Sequence, residues 1–354
     1  MTEYKQYLEE LLLATAENSA SDLHISPGHY PTIRVDSRLI QITGTQILDK
    51  ETTNGLVLEL VGPEKKDRFL SEKEIDFSYE YAGKYRFRVN AYNTRGGVAA
   101  SLRLIPNEIK SVEELNLPPI VKIFGRLSQG FVLVVGPNGH GKSTTLAAML
   151  NLINKERTEK IVTIEDPIEY IFSPDKSIID QREIYQDTFS FHKAIRSTFR
   201  QNVDVILVGE MRDYETMSAA VTAAETGHLV LASLHTNSAS QTIERIIDSF
   251  PPNQQAQARN QLANTVSGVI SQRLIQRVKG GLIPAVEVMI ATTAVRTLIR
   301  DNRPRQLDLV IETSQDVGMI SMNRSLSDLV RKKEISLERA EFYSPNPAEL
   351  KNQL

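Results

Sequence analysis

The stretch Phe131-Val132-Leu133-Val134-Val135-Gly136-Pro137-Asn138-Gly139-His140-Gly141-Lys142-Ser143-Thr144-Thr145 decides the fold. Five apolar residues predict a buried strand, and Thr144 to Leu150 reads as a helix. Between them lies the phosphate-loop pattern in its confirming context of strand, glycine-rich turn, lysine, hydroxyl and helix. The glycines let the backbone curl so that successive N–H groups face one concavity, which attracts phosphate oxygens. The start of the following helix adds unpaired N–H groups and partial positive charge. Residues Gly136, Pro137, Asn138, Gly139, His140, Gly141, Lys142, Ser143 and Thr144 are therefore predicted to bind the phosphates of ATP. Lys142 is expected to reach the β- and γ-phosphates, and Ser143 to place its hydroxyl on Mg²⁺.

Downstream, strands and helices alternate as in a parallel α/β sheet. Strands are predicted at Phe131–Val135, Ile161–Ile164, Val205–Val208, Leu229–Leu234 and Leu282–Ile290. Gln254 to Arg277 reads as one long helix, with Leu262, Val266, Val269, Ile270 and Leu274 on one side. The remainder reads as helical to about Tyr343, with a loose tail from Pro345.

Parallel sheets bind ligands at the carboxyl ends of their strands, and these ends carry polar residues. After Ile164 come Glu165-Asp166-Pro167-Ile168-Glu169. These carboxylates suit Mg²⁺ or the orientation of an attacking water, and equally suit a solvated strand end. Ser143, Glu165 and Glu169 form the candidate metal set. After Val208 come Gly209-Glu210, where many P-loop ATPases have Asp-Glu. Glu210 is expected to polarise water. His235 ends the fourth strand and is a candidate γ-phosphate sensor, whereas His228 begins it and fits packing as well as catalysis. Gly227 is read as a helix terminator, and Ser238 with Gln241 as a capping box. Candidate arginines for neutralising phosphoryl charge are Arg86, Arg88, Arg103, Arg196 and Arg200, each of which also fits a solvated face.

Upstream, a helix is predicted from Tyr4 to about Asn18, then strands at Ser21–Ile25 and Thr32–Val35. Helical stretches follow at Lys50–Leu60 and Pro63–Leu70. The hairpin Asp76–Tyr81 and Tyr85–Asn90 turns at Ala82-Gly83, and a strand from Ala99 to Ile105 comes after the turn Arg95-Gly96-Gly97. Residues 1–106 thus read as an α/β domain with an antiparallel sheet. Residues 107–119 read as a linker ending in Pro118-Pro119, and residues 120–354 as the nucleotide-binding domain.

Bulk composition sets outer limits. The 354 residues are 41% hydrophobic and 24% charged with a formal net charge of −3, which fits an ordinary globular protein and gives no global attraction to nucleic acid. No cysteine is present, which removes disulfides, thiolate zinc sites and thiol catalysis. The polar N-terminus lacks a signal-peptide pattern and no apolar run approaches the ~20 residues of a spanning helix. A cytoplasmic protein is expected, associating with a membrane only through partners.

Together these residues resemble the PilT-type retraction ATPases of type IV pili, within the wider secretion ATPase superfamily. Thr163–Glu169 resembles that family's acidic box, and Ile206-Leu207-Val208-Gly209-Glu210-Met211-Arg212-Asp213 its Walker B segment, glycine included. Ala224–His228 with Leu234-His235-Thr236 resembles its histidine box, which favours His228 as a functional residue. Ser21–Ile25 and Arg86–Asn90 are similar too. Ala294-Val295-Arg296-Thr297-Leu298-Ile299-Arg300-Asp301 resembles the motif that marks retraction motors, and by itself reads as an amphipathic helix with both arginines outside.

The resemblance implies a PAS-like N-terminal domain and a RecA-like C-terminal ATPase domain joined by a flexible linker. It implies catalytic roles for Glu165, Glu210, His228 and His235, and nucleotide contacts from Arg86, Arg88 and Arg103. It also implies a homo-hexamer that binds and hydrolyses ATP between the two domains. That hydrolysis would turn the ring's pore against an inner-membrane pilus platform protein and drive pilin back into the membrane. The alternatives are an assembly or type II secretion ATPase, and more distantly a nucleic-acid translocase or a nucleotide switch. The family's loop carries Thr and Ser where this chain has Asn138 and His140. An imidazole beside polyphosphate predicts pH-dependent nucleotide affinity near neutrality.

Overall fold

The computed structural model describes residues 3–18, 20–35, 38–95, 97–105 and 108–354. Gly96 of the expected turn, and Pro106 and Asn107 at the expected boundary, lie outside them. The chain divides into two compact units: Met1–Glu108 with Asp166–Ile171, and Ile109–Glu165 with Phe172–Leu354.

The first unit contains α1 (Glu3–Glu17), β1 (Asp22–Ile25), β2 (Thr32–Val35), β3 (Arg38–Gln41), α2 (Lys50–Glu72), β4 (Glu74–Tyr81), β5 (Tyr85–Thr94) and β6 (Gly97–Ile105). Its strands form an antiparallel sheet in the order β3-β2-β1-β6-β5-β4. Alternate residues such as Leu23, Ile25, Phe87, Val89 and Leu102 are buried with Leu8, Leu12, Leu56 and Leu60 of the two helices. The two predicted helical stretches are one element, α2, broken at Gly62 (φ 68°) just before Pro63. Only glycine adopts that φ without strain, and proline starts the second segment without needing its missing N–H.

The second unit contains α3 (Ile120–Gly125), β7 (Gly130–Val135), α4 (Lys142–Glu156), β8 (Lys160–Glu165), β9 (Ile178–Glu183), α5 (Phe191–Thr198), β10 (Val205–Val208), α6 (Tyr214–Glu225), β11 (Leu229–Leu234), α7 (Ala239–Ser249), α8 (Gln255–Thr265), β12 (Val266–Gln276) and β13 (Leu282–Ile290). The helices α9 (Thr293–Arg300), α10 (Leu307–Thr313), α11 (Met322–Arg331), α12 (Leu337–Tyr343) and α13 (Pro347–Asn352) complete it. Its sheet runs β13-β12-β7-β11-β10-β8-β9. All neighbours are parallel except the β12–β13 pair. Every residue of β7, β10 and β11 is buried, which is why these strands read as unbroken apolar runs.

Two expectations are corrected here. Gln254–Arg277 is not one helix, because α8 stops at Thr265 and the chain enters β12, wedged between β7 and β13. The β-branched residues Val266, Val269, Ile270 and Ile275 suit that slot. Gly268 is required there, since a Cβ would lie 2.1 Å from the Phe124 ring. The tail is not loose either. Asn346 caps α13, accepting from Glu349 N–H, and Leu350 is fully buried. Leu350 joins a satellite core with Ile275, Ile283, Met322 and Leu326.

Residues 109–119 belong to the second unit, where Val112 and Leu117 are buried, so the division falls between Glu108 and Ile109.

Candidate phosphate site

The loop between β7 and α4 has the geometry its glycines predict. Gly136, Gly139 and Gly141 have φ of 147°, 76° and 82°. Gly136 and Gly141 are also pressed against β12, where added Cβ atoms would lie 2.5 Å from the Gln272 carbonyl oxygen and 2.8 Å from its side-chain nitrogen. Gly141 caps α4 without any side-chain bond, leaving the first-turn N–H groups open to an anion. Ser143 is exposed at that turn.

Lys142 is almost fully buried. Its ammonium donates to the carbonyls of Gly136 (2.9 Å) and Pro137 (3.0 Å) and stands 3.2 Å from His235 Nδ1. An ammonium only donates, so Nδ1 accepts and the imidazole proton sits on Nε2. That Nε2–H donates to Glu210 Oε1 at 2.7 Å, and Arg212 holds the other carboxylate oxygen at 2.8 Å. The chain Lys142–His235–Glu210–Arg212 thus links the ends of β7, β11 and β10. Burial works to raise the Glu210 carboxyl, but Arg212 and His235 outweigh it and hold the group below its ordinary range. Glu210 is ionised at neutral pH.

Gly209 also finds its reason. A Cβ there would meet the Ile164 carbonyl at 3.2 Å and Glu165 Cα at 3.3 Å. An aspartate in the usual metal-holding place would have to press the end of β8 back by a few tenths of an ångström.

The other predicted residues are distributed unevenly. Glu165 ends β8 on the same edge and accepts from Gln181 Nε2 at 3.4 Å, but β8 lies three strands from β7, about 14 Å across the sheet. Glu169 falls in the first unit, 3.4 Å from Arg88. Within the second unit Ser143 and Glu165 of the expected metal set thus stand on separate strand ends, and no group of three His, Asp or Glu residues suited to a metal occurs among the described residues. Ser143, exposed at the loop, fits Mg²⁺ as a hydroxyl ligand beside phosphates.

Arg86 donates to Ser78 Oγ (2.8 Å) and the Ile168 carbonyl (3.3 Å), and Arg103 pairs with Asp22 (3.0 Å). Arg88 and Arg103 face each other across β5 and β6.

His228 lies apart from His235, as its place at the start of the strand implies. It stands at the opposite end of β11 from His235, about 20 Å along the strand. Its Nδ1 lies 2.9 Å from the Ala223 carbonyl at the end of α6, and its ring packs against Phe199. Within one chain it terminates a helix and touches nothing of the phosphate loop.

His140 behaves differently from its expectation. Its Nδ1 accepts the Leu274 N–H at 2.9 Å, which requires a neutral ring. Burial, then Arg273 and Lys142, push its pKa down. The pH window therefore moves from neutrality to the acid side. Because the folded value is depressed, this contribution to stability is present above about pH 6.5 and is lost as pH falls toward the folded value. Melting temperatures of wild type and His140→Ser should run parallel above neutrality and converge or cross below it. Parallel curves at all pH values would refute the assignment.

Sequence reasoning missed Gln272, Arg273 and the role of Arg212. The first two were hidden inside a stretch read as helix. The third sits two residues after Glu210, a spacing that could have suggested pairing.

Arg296 and Arg300 are not simply outside. Arg296 donates to the carbonyls of Ala263, Asn264 and Ala291, and Arg300 to Asn264 Oδ1, so the pair closes the carboxyl end of α8.

A mostly parallel sheet with a phosphate loop after a central strand, and a histidine and a glutamate ending the next two strands on one side, β11 and β10, defines a RecA-like nucleotide-binding unit. The chain belongs to the type II/IV secretion system protein family, which matches residues 3–315. Among its relatives, the type IV pilus retractation ATPase PilT of Pseudomonas aeruginosa is 44% identical over 94% of this chain and 96% of its own length. A twitching motility protein of Neisseria gonorrhoeae is 44% identical over 89% of this chain and 84% of its own. A crystal structure of the pilus retraction motor PilT with bound ADP superposes with TM-score 0.90 at 41% identity, covering 97% of this chain and 98% of that chain. No helix among the described residues is long and apolar enough to cross a membrane.

Proposed function

We propose that this protein is a motor ATPase of type IV pilus retraction, active as a homo-hexamer against an inner-membrane platform protein on the cytoplasmic side. The observation that carries the chemical reading is the bonded chain from Lys142 through His235 to Glu210, which joins a phosphate-binding lysine to an ionised carboxylate. The loop amides and Lys142 would hold the ATP phosphates. Glu210 would accept a proton from the water that attacks the γ-phosphorus, as the bond to the ADP oxygen breaks. Mg²⁺ on Ser143 would supply charge neutralisation between the phosphates. His235 keeps Glu210 oriented and in contact with the loop.

Retraction rather than assembly is favoured by the likeness to PilT over almost the full length of both chains, and by the segment Ala294–Asp301. The arginines Arg86, Arg88 and Arg103 belong to the proposed nucleotide surface of the assembled ring, as do Glu165 and Glu169.

Two measurements test this reading. The purified protein should hydrolyse ATP with Mg²⁺ present and gain nothing from added DNA or RNA; strong stimulation by nucleic acid would identify a translocase instead. A deletion strain should keep surface pili but lose twitching and retraction, whereas loss of the pili themselves would assign assembly.

A further inference from the structure

β12 runs past the end of its neighbour. Its last pairing with β7 is Ser271 opposite Val135, yet it continues to Gln276 beside the phosphate loop. Gln272, the first residue of this overrun, is buried at 2% exposure and both ends of its amide are engaged. The NH₂ group donates to the His140 carbonyl at 2.8 Å, and the amide oxygen accepts from Thr145 Oγ1 at 2.8 Å. One side chain therefore ties the last part of the loop to the first turn of α4. Those are the two segments whose N–H groups must converge on phosphate. The same side chain and its backbone exclude a Cβ at Gly136 and Gly141. On either side, Ser271 Oγ donates to the Asn237 carbonyl at 2.9 Å and Arg273 to Asn237 Oδ1 at 3.0 Å. This anchors the segment that follows His235.

We propose that Gln272 is a positioning residue of the nucleotide site, which sets the shape of the phosphate loop without touching the nucleotide. This rests on the reading of the loop as an ATP site. A rigid loop presents its N–H groups without reorganisation when phosphate arrives, so the brace should appear as nucleotide affinity. Thr145 donates to an acceptor and the His140 carbonyl accepts from a donor, and an amide of this length supplies both whatever the pH.

The test uses the full chain with Mg·ADP. Gln272→Leu removes both bonds at similar volume and should weaken ADP binding by about tenfold or more. Gln272→Glu keeps the acceptor for Thr145 but turns a carboxylate oxygen toward the His140 carbonyl. Its affinity should be about tenfold below wild type at about pH 8 and should recover toward wild type at about pH 6, where a protonated carboxyl donates again. The ratio to wild type at each pH removes the contribution of His140. Recovery on acidification for Glu but not for Leu is the expected pattern, and a purely structural lesion would not produce it. If Gln272→Leu fails to fold, the Glu variant alone decides. Wild-type affinity in the variants at both pH values, or a Glu defect indifferent to pH, would overturn the proposal while leaving the ATP site standing. Failure of wild type to bind ADP would overturn both.

Discussion

Glu210→Gln is expected to bind Mg·ATP about as tightly as wild type and to hydrolyse it some 10² to 10⁴ times more slowly, the usual span for removing a positioned general base. The side chain sits just past the end of β10, with His235 Nε2 2.7 Å from one oxygen and Arg212 2.8 Å from the other. Glutamine has the same shape, so the bed for the carboxylate is not emptied. It has no proton-accepting charge, and its NH₂ must face one of two groups that are themselves donors. The hydrolytic role is lost and some local strain is added. Binding survives because the loop amides and Lys142 lie on other segments. Single-turnover hydrolysis beside an equilibrium titration of a non-hydrolysable nucleotide separates the two effects. Unchanged turnover would remove Glu210 from the chemistry, and lost affinity would mean that its bonds to His235 mainly support the loop.

The parts of this site that were legible in the sequence share a physical cause. β7, β10 and β11 are buried on both faces, so each is an uninterrupted apolar run, and the residues closing the runs stand out as glycine, glutamate or histidine. Lys142, Glu210 and His235 could be placed on one sheet edge from that pattern alone. β12 is buried over most of its length, but Val266, Val269, Ile270 and Leu274 fall at intervals that also suit a helix, and periodicity alone does not separate a largely buried strand from a buried helix. Its true state is set by the vacant slot between β7 and β13, a tertiary fact. Gln272 and Arg273 were lost with it. The edge strand β9, Ile178–Glu183, carries too few apolar residues to announce itself. His228 and His235 flank one strand, and chain direction already separates them in the sequence, since only His235 closes the strand at its carboxyl end; the parallel pairing of β11 with β7 puts that end beside the phosphate loop and leaves His228 beside α6.

Lys142→Ala should abolish nucleotide binding at ordinary concentrations. A charge-assisted hydrogen bond contributes about 1.5–3 kcal/mol, so losing two to the phosphates amounts to roughly two to four powers of ten in affinity. The structure adds a consequence that the loop motif alone would not predict. Lys142 is held by two loop carbonyls and shares a bond with His235 Nδ1. A phosphate that takes a donor from the ammonium competes with these partners. Releasing His235 frees its Nδ1, and Glu210 then responds through Nε2, so phosphate binding and the readiness of the base are linked through one imidazole. In Lys142→Ala that link is already cut, and His235 can shift its proton between nitrogens without reference to the loop. Thermal melts read both effects. ADP should raise the melting temperature of wild type by mass action on the folded state and leave Lys142→Ala unmoved. NMR of the His235 ring should show a fixed Nε2–H tautomer in the nucleotide-free wild type and a mixture in the variant. A fixed tautomer in both would mean that Glu210 alone orients the ring, and the coupling through Lys142 would fall.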